Sequence, residues 1–147
     1  MPPTKCTYKR LVALMKKKAL EAEDTPLPSE QMAAAYRKMR ANPPWGGELR
    51  DTHELLDKEV VPLVDAMNAM KGIVTVESCC GHGKDPFYIW FYAESVDTVR
   101  PLFEFVSTRR GWRIIFQDYI FCLKGPKGER AYRESEQLAA AILNIPS

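Results

Sequence analysis

From residue 51 onward, the chain alternates between two hydrophobic rhythms. Leu55, Leu56, Val60, Leu63, Val64, Met67 and Met70 recur at the three-and-four spacing of a helix with one buried face, ending near Gly72, with Pro62 as a point of kinking. Two short β-branched or aromatic runs follow, Ile73 to Glu77 and Phe87 to Tyr92, which predict strands. A helix is expected from about Ser95 to Thr108. Two further strands, Trp112 to Phe116 and Tyr119 to Leu123, should flank a tight turn at Gln117 and Asp118. Lys124 to Gly128 then closes the sheet region, and Glu129 to Leu143 reads as an amphipathic helix.

Helix, strand, strand, helix, strand, strand, helix predicts an α+β domain: a two-layer sandwich with a mostly antiparallel sheet of about four strands and helices on one face. Residues 1–50 form a helical N-terminal arm and 51–147 the domain. In the arm, Leu11, Leu14, Met15 and Ala19 place a helix over Thr7 to Glu23, with Lys16, Lys17 and Lys18 on its polar side. Asp24 to Ser29 reads as a loop, Ser29 caps a second helix through about Arg40, and Asn42-Pro43-Pro44-Trp45-Gly46-Gly47 breaks it. Trp45, beside two glycines, either packs the arm down or covers a ligand.

The bulk numbers narrow the classes. At 147 residues the chain can bury a core without disulfides or metal, and 46% hydrophobic with 27% charged residues excludes a disordered or fibrous class. A net charge of +2 leaves any affinity for nucleic acid to local clusters, of which Arg109, Arg110 and Arg113 around Trp112 are the best candidate. A plain surface cluster is the other reading of those arginines. No apolar run has the length of a membrane span and no secretion signal opens the chain, so a cytoplasmic protein with reduced cysteines and no membrane partner is expected.

Between the first two strands lies Glu77-Ser78-Cys79-Cys80-Gly81-His82-Gly83-Lys84, where a thiol nucleophile, a group titrating near neutral pH and two permissive glycines meet. Gly81 and Gly83 can turn amides toward an anion or a developing oxyanion, with Lys84 at the rim. A loose hairpin is the plainer alternative. In a catalytic version Cys79 or Cys80 is the thiolate, and His82 or Glu77 handles protons. In a binding version Ser78, Gly81, Gly83 and Lys84 hold the ligand, with Trp45 over it. Cys79, Cys80 and His82 are also zinc ligands by type, but neighbouring cysteines point apart in extended chain, and a fourth ligand from His53, Cys6, Cys122 or Asp85 completes no known spacing. No metal ligand is therefore assigned. Most of the aromatics from Phe87 to Tyr92 are expected in the core.

The segment from about Asp57 to Phe116 resembles the wybutosine-synthesis methyltransferase family, in which a helix ending in asparagine precedes a short strand, a Ser-Cys-Ser-Gly-Arg type motif and another strand. Here Asn68 ends the helix, Thr75 lies in the strand and Ser78-Cys79-Cys80-Gly81-His82 stands at the motif, with Cys80 for the second serine and His82 for the arginine. The run is also similar to that of small uncharacterised bacterial and phage proteins, which implies no activity. The family resemblance implies S-adenosylmethionine as cofactor and an RNA base as acceptor. Together these readings give a ligand-binding α+β protein, methyltransferase-like if enzymatic, for a nucleotide-like or otherwise anionic ligand. The competing reading is a non-catalytic interaction protein whose Cys/His loop is structural or binds zinc.

Overall fold

The structure is a computed structural model that describes residues 28–43 and 56–145. Among these are four helices and one four-stranded antiparallel sheet, as an α+β fold requires. Helix α1 spans Pro28–Ala41 and α2 Val61–Ala69; strands β1, Ile73–Cys79, and β2, Pro86–Ala93, follow; then α3, Val96–Thr108, strands β3, Arg113–Gln117, and β4, Ile120–Lys127, and finally α4, Glu129–Leu143. The sheet order is β1-β2-β4-β3, so β2 and β4 are central. The expected helix at Thr7–Glu23 and the Trp45 break lie outside the described residues. No described helix is long and apolar enough to cross a membrane.

Strand β2 shows how the sheet divides its two faces. Phe87, Ile89, Phe91 and Ala93 are buried while Pro86, Tyr88, Trp90 and Tyr92 between them are half-buried, the period-two pattern of a pleated strand. The buried set joins Ile114, Phe121 and Leu123 in one core with Leu63 and Met67 of α2, Val99 and Leu102 of α3, and Leu138 and Ile142 of α4. Helix α1 lies against β2 and β1, with Met32 fully buried. Val74, Ile115 and Cys122 are buried outside that core, and the register sets Val74 opposite Tyr92, and Cys122 opposite both Trp90 and Ile115.

Several boundaries differ from the expectation, each for a local reason. Among the described residues Leu56 to Val60 are turn and regular helix begins at Val61, because Pro62 fits the first turn, where its missing N–H is not needed, and so starts α2 instead of kinking it. Strand β4 continues through Gly125 and Pro126 to Lys127, where the sheet was expected to close. Gly125 makes this feasible: a Cβ there would stand 2.8 Å from the Trp112 ring. Trp112 precedes β3 and enters the core, edge-on to Phe87 at 5.6 Å and Phe105 at 5.5 Å between centroids. Its Nε1 donates to Glu134 Oε2 at 2.7 Å, and Arg130 Nε donates to Glu134 Oε1 at 3.1 Å. The β3–β4 turn falls at Asp118 and Tyr119, whose φ values of 50° and 66° supply the left-handed pair that a tight two-residue hairpin needs.

Candidate functional site

The site is set by an irregularity in β1. Thr75 pairs with Phe91 but Glu77 pairs with Trp90, so Val76 is an extra residue and the strand changes face there. Before the bulge, Ile73 and Thr75 share the core face; after it, Ser78 lies opposite core Ile89, and Glu77 and Cys79 lie on the other side opposite Trp90 and Tyr88. Asn68, at the end of α2, holds the bulge. Its Nδ2 donates to Thr75 Oγ1 at 2.7 Å and to the Val64 carbonyl at 3.0 Å, and its Oδ1 accepts the Thr75 amide at 2.9 Å. The carboxamide thus takes the place of a missing ladder bond and clamps helix to strand.

Beyond β1 three consecutive residues take left-handed backbone: Gly81, His82 and Gly83, with φ of 80°, 52° and 79°. Gly81 is also tightly packed, since a Cβ would stand 3.0 Å from the Pro86 carbonyl oxygen. At His82 an L-residue bears a conformation costing about 1–2 kcal/mol, and such strain gathers where function requires it.

The turn brings together side chains distant in sequence. Asp57 Oδ2 accepts the Cys80 amide at 3.0 Å and stands 3.8 Å from His82 Nε2. Cys79 Sγ accepts the Gly81 amide and Cys80 Sγ the His82 amide, each at 3.3 Å. Cys80 Sγ lies 3.7 Å from His82 Nδ1. From α4 the half-buried Tyr132 sets its hydroxyl beside the Cys80 thiol and the Gly83 amide. The carboxylate of Asp57, the Cys79 sulfur and a His82 ring nitrogen all lie within 4.8 Å of one another.

Charge follows from these contacts. The Cys80 amide, helped by the His82 and thiol neighbours, holds the Asp57 carboxyl below its ordinary value against the opposing effect of burial. Burial raises the Cys80 thiol, and Asp57 adds to the rise, so Cys80 stays protonated at neutral pH. Tyr132 is raised by burial and by Cys80. Tyr88 donates its hydroxyl to Glu77 Oε1 at 3.4 Å and is raised by burial and by the Glu77 charge.

Of the residues singled out in sequence, Cys79 and His82 meet at one point, and Glu77 lies alongside through Tyr88. Ser78 is half-buried on the core side, Gly81 is buried, and Gly83 and Lys84 are exposed at the rim. Trp45 lies outside the described residues. Of the two glycine amides expected to face a ligand, that of Gly81 donates to the Cys79 sulfur within the turn. The three arginines have different partners, with Arg109 5.7 Å over the Phe105 ring, the Arg110 carbonyl bonded by Arg130, and Arg113 opposite Lys124 on β4.

Sequence reasoning missed Asp57 and Tyr132. Pro62 was the available signal for Asp57, since a helix that starts at Pro62 releases the preceding residues to turn toward β1. Tyr132 carried none, because its place depends on how α4 packs.

The register assembles a further feature. Cys79 faces Tyr88, Tyr88 faces Lys124, and Lys124 faces Arg113, a row crossing all four strands on one side of the sheet. Beside it a cleft of about 280 Å³ is lined by Pro86, Gly111, Trp112, Arg113, Lys124 and Gly125. No protein-family model matches this chain, and neither a curated protein nor a solved structure matches it, so its site is read from its own geometry.

Proposed function

We propose that this protein binds a nucleotide-like anionic ligand, free or as a base within RNA, along the row of Tyr88, Lys124 and Arg113 at the end of the sheet, with the Cys79–His82 turn at one end. The observation that carries this reading is the cross-strand row. Like charges directly opposite each other on a sheet destabilise it, and Arg113 faces Lys124. A phosphate between them removes that repulsion and gains charge-assisted hydrogen bonds. Tyr88, in the row itself, is half-buried, and its ring is of the kind on which bases stack.

The resemblance to the wybutosine-type methyltransferases supports the same ligand class, and Asn68 and Thr75, two of the residues that carry it, are hydrogen-bonded to each other next to the turn. Methyl transfer to a base is the enzymatic form of this reading. The turn amides of residues 80–82 are occupied by Asp57 and by the Cys79 and Cys80 sulfurs, so they do not fit the methionine carboxylate of S-adenosylmethionine, and no step is derived through that cofactor.

The test is binding of guanosine and adenosine nucleotides and of a short labelled RNA to the metal-free full-length protein over a range of salt concentrations, with S-adenosylmethionine as a separate arm. Replacing Arg113 and Lys124 together by alanine should weaken binding about tenfold or more and flatten its salt dependence. Equal binding by the double variant, or no binding by the parent protein, rejects the reading.

A further inference from the structure

We propose that Asp57, Cys79 and His82 form a three-ligand site for a thiophilic divalent cation of the zinc class, with its fourth position open. The juxtaposition itself is the first argument. Tetrahedral zinc with ligands at about 2.0–2.3 Å spaces its donor atoms about 3.3–3.8 Å apart. Asp57 Oδ2 and His82 Nε2 are already 3.8 Å apart, and the Cys79 sulfur lies within 4.8 Å of both donor groups. Closing on an ion therefore takes side-chain shifts of about 1 Å or less. One thiolate, one imidazole and one carboxylate select zinc over magnesium or calcium, which prefer oxygen alone.

The surroundings orient the three donors. The Gly81 amide donates to the Cys79 sulfur at 3.3 Å and fixes the direction of that side chain. The Cys80 amide fixes Asp57 Oδ2. Cys80 Sγ approaches His82 at Nδ1, leaving Nε2 on the Asp57 side. Contacts of this kind hold metal ligands in place. The left-handed conformation of His82 returns its imidazole over the turn, which gives that strain a purpose.

Cys80 is not a ligand here. It is 3% exposed, belongs to the core and lies beside Tyr132, whereas the His82 side chain is 69% exposed and that of Asp57 28%. The ion would be held at the surface with room for water or a ligand oxygen, as in catalytic zinc sites rather than closed structural ones. Asp57 is the ligand that cysteine and histidine spacing alone could not supply.

Cobalt(II) titration of chelator-treated full-length protein tests the site. One equivalent should bind, with a thiolate-to-cobalt charge-transfer band and visible bands of tetrahedral intensity. Cys79→Ser should abolish the charge-transfer band, Cys80→Ala should keep it, and Asp57→Asn and His82→Ala should each weaken zinc by about tenfold or more in chelator competition. Circular dichroism of each variant establishes that it folds. Should Cys79→Ser not fold, X-ray absorption at the zinc edge of the parent protein must return one sulfur among the neighbours. The proposal is overturned by no stoichiometric binding, by a metal shell without sulfur, or by a band lost in Cys80→Ala and kept in Cys79→Ser. Because nucleotide binding is measured on metal-free protein, either reading can fail without the other.

Discussion

Two polar clusters in this protein are built on opposite principles. Around Trp112 the chain buries Glu134, 8% exposed, and gives its carboxylate two donors, Trp112 Nε1 and Arg130 Nε. Arg130 also donates to the Arg110 carbonyl, which closes the group against the helix–strand junction. At the Cys79–His82 turn, a carboxylate, two sulfurs and an imidazole gather at the open end of β1 around a left-handed histidine. The first cluster matches donors to acceptors, as buried groups must, and among the described residues no buried side-chain nitrogen or oxygen lacks a partner. The second collects electron-pair donors, and solvent still reaches Asp57, Cys79 and His82 among them. Core hydrogen bonds of the first kind serve stability, and an excess of lone pairs around a strained residue is what a cation or ligand can use.

The largest effect that separates the clusters should come from Trp112→Ala. It removes a fully buried indole packed on Phe87, Phe105 and Gly125, and should cost about 3–5 kcal/mol in urea unfolding. The metal-binding variants at the turn, assayed without metal, should each lose far less. A loss below about 1 kcal/mol for Trp112→Ala would mean that the buried cluster does not anchor the fold.

Much of this contrast was legible in the sequence, but unevenly. The helix and strand order was visible because each element keeps its own period, as in the alternation from Phe87 to Ala93. The concentration of chemistry between Glu77 and Lys84 was visible from residue types alone. The extra residue at Val76 was not, since nothing in Ile-Val-Thr-Val-Glu marks where the ladder slips. Yet that slip decides which cysteine faces the core, and it sets Cys79 in line with Tyr88, Lys124 and Arg113. Asp57 stands 22 residues before Cys79 in the sequence and joins the site only through the packing of α2 against β1. Contacts of that kind belong to tertiary structure, which local patterns do not encode.

An intermediate effect comes from removing charge within the buried cluster. Burial alone would raise Glu134, but the hydrogen bonds from Trp112 and Arg130 outweigh it and hold the carboxyl below its ordinary value of 4.5. A carboxyl lowered on folding adds stability that is present above that ordinary value and is lost as pH falls through the folded one. Glu134→Gln should cost about 1–3 kcal/mol at neutral pH and flatten the acid limb of the stability curve below 4.5. Parallel acid limbs in parent and variant would show that the two donors do not favour the ionised form.

The smallest effect carries the opposite sign and tests the comparison most sharply. In metal-free protein, His82→Gly removes a side chain that is 69% exposed and relieves a backbone conformation that costs an L-residue about 1–2 kcal/mol. Glycine loses about 0.5–1 kcal/mol more chain entropy on folding, so the variant should unfold at the same denaturant concentration or be up to about 1.5 kcal/mol more stable. The same variant should lose the cation, because no other described histidine can replace the imidazole. A residue whose removal stabilises the fold and abolishes binding is kept for the binding. If His82→Gly instead costs more than about 1 kcal/mol without metal, the imidazole contacts to Asp57 and Cys80 hold the turn together, and the turn belongs with Trp112 and Glu134 as part of the frame.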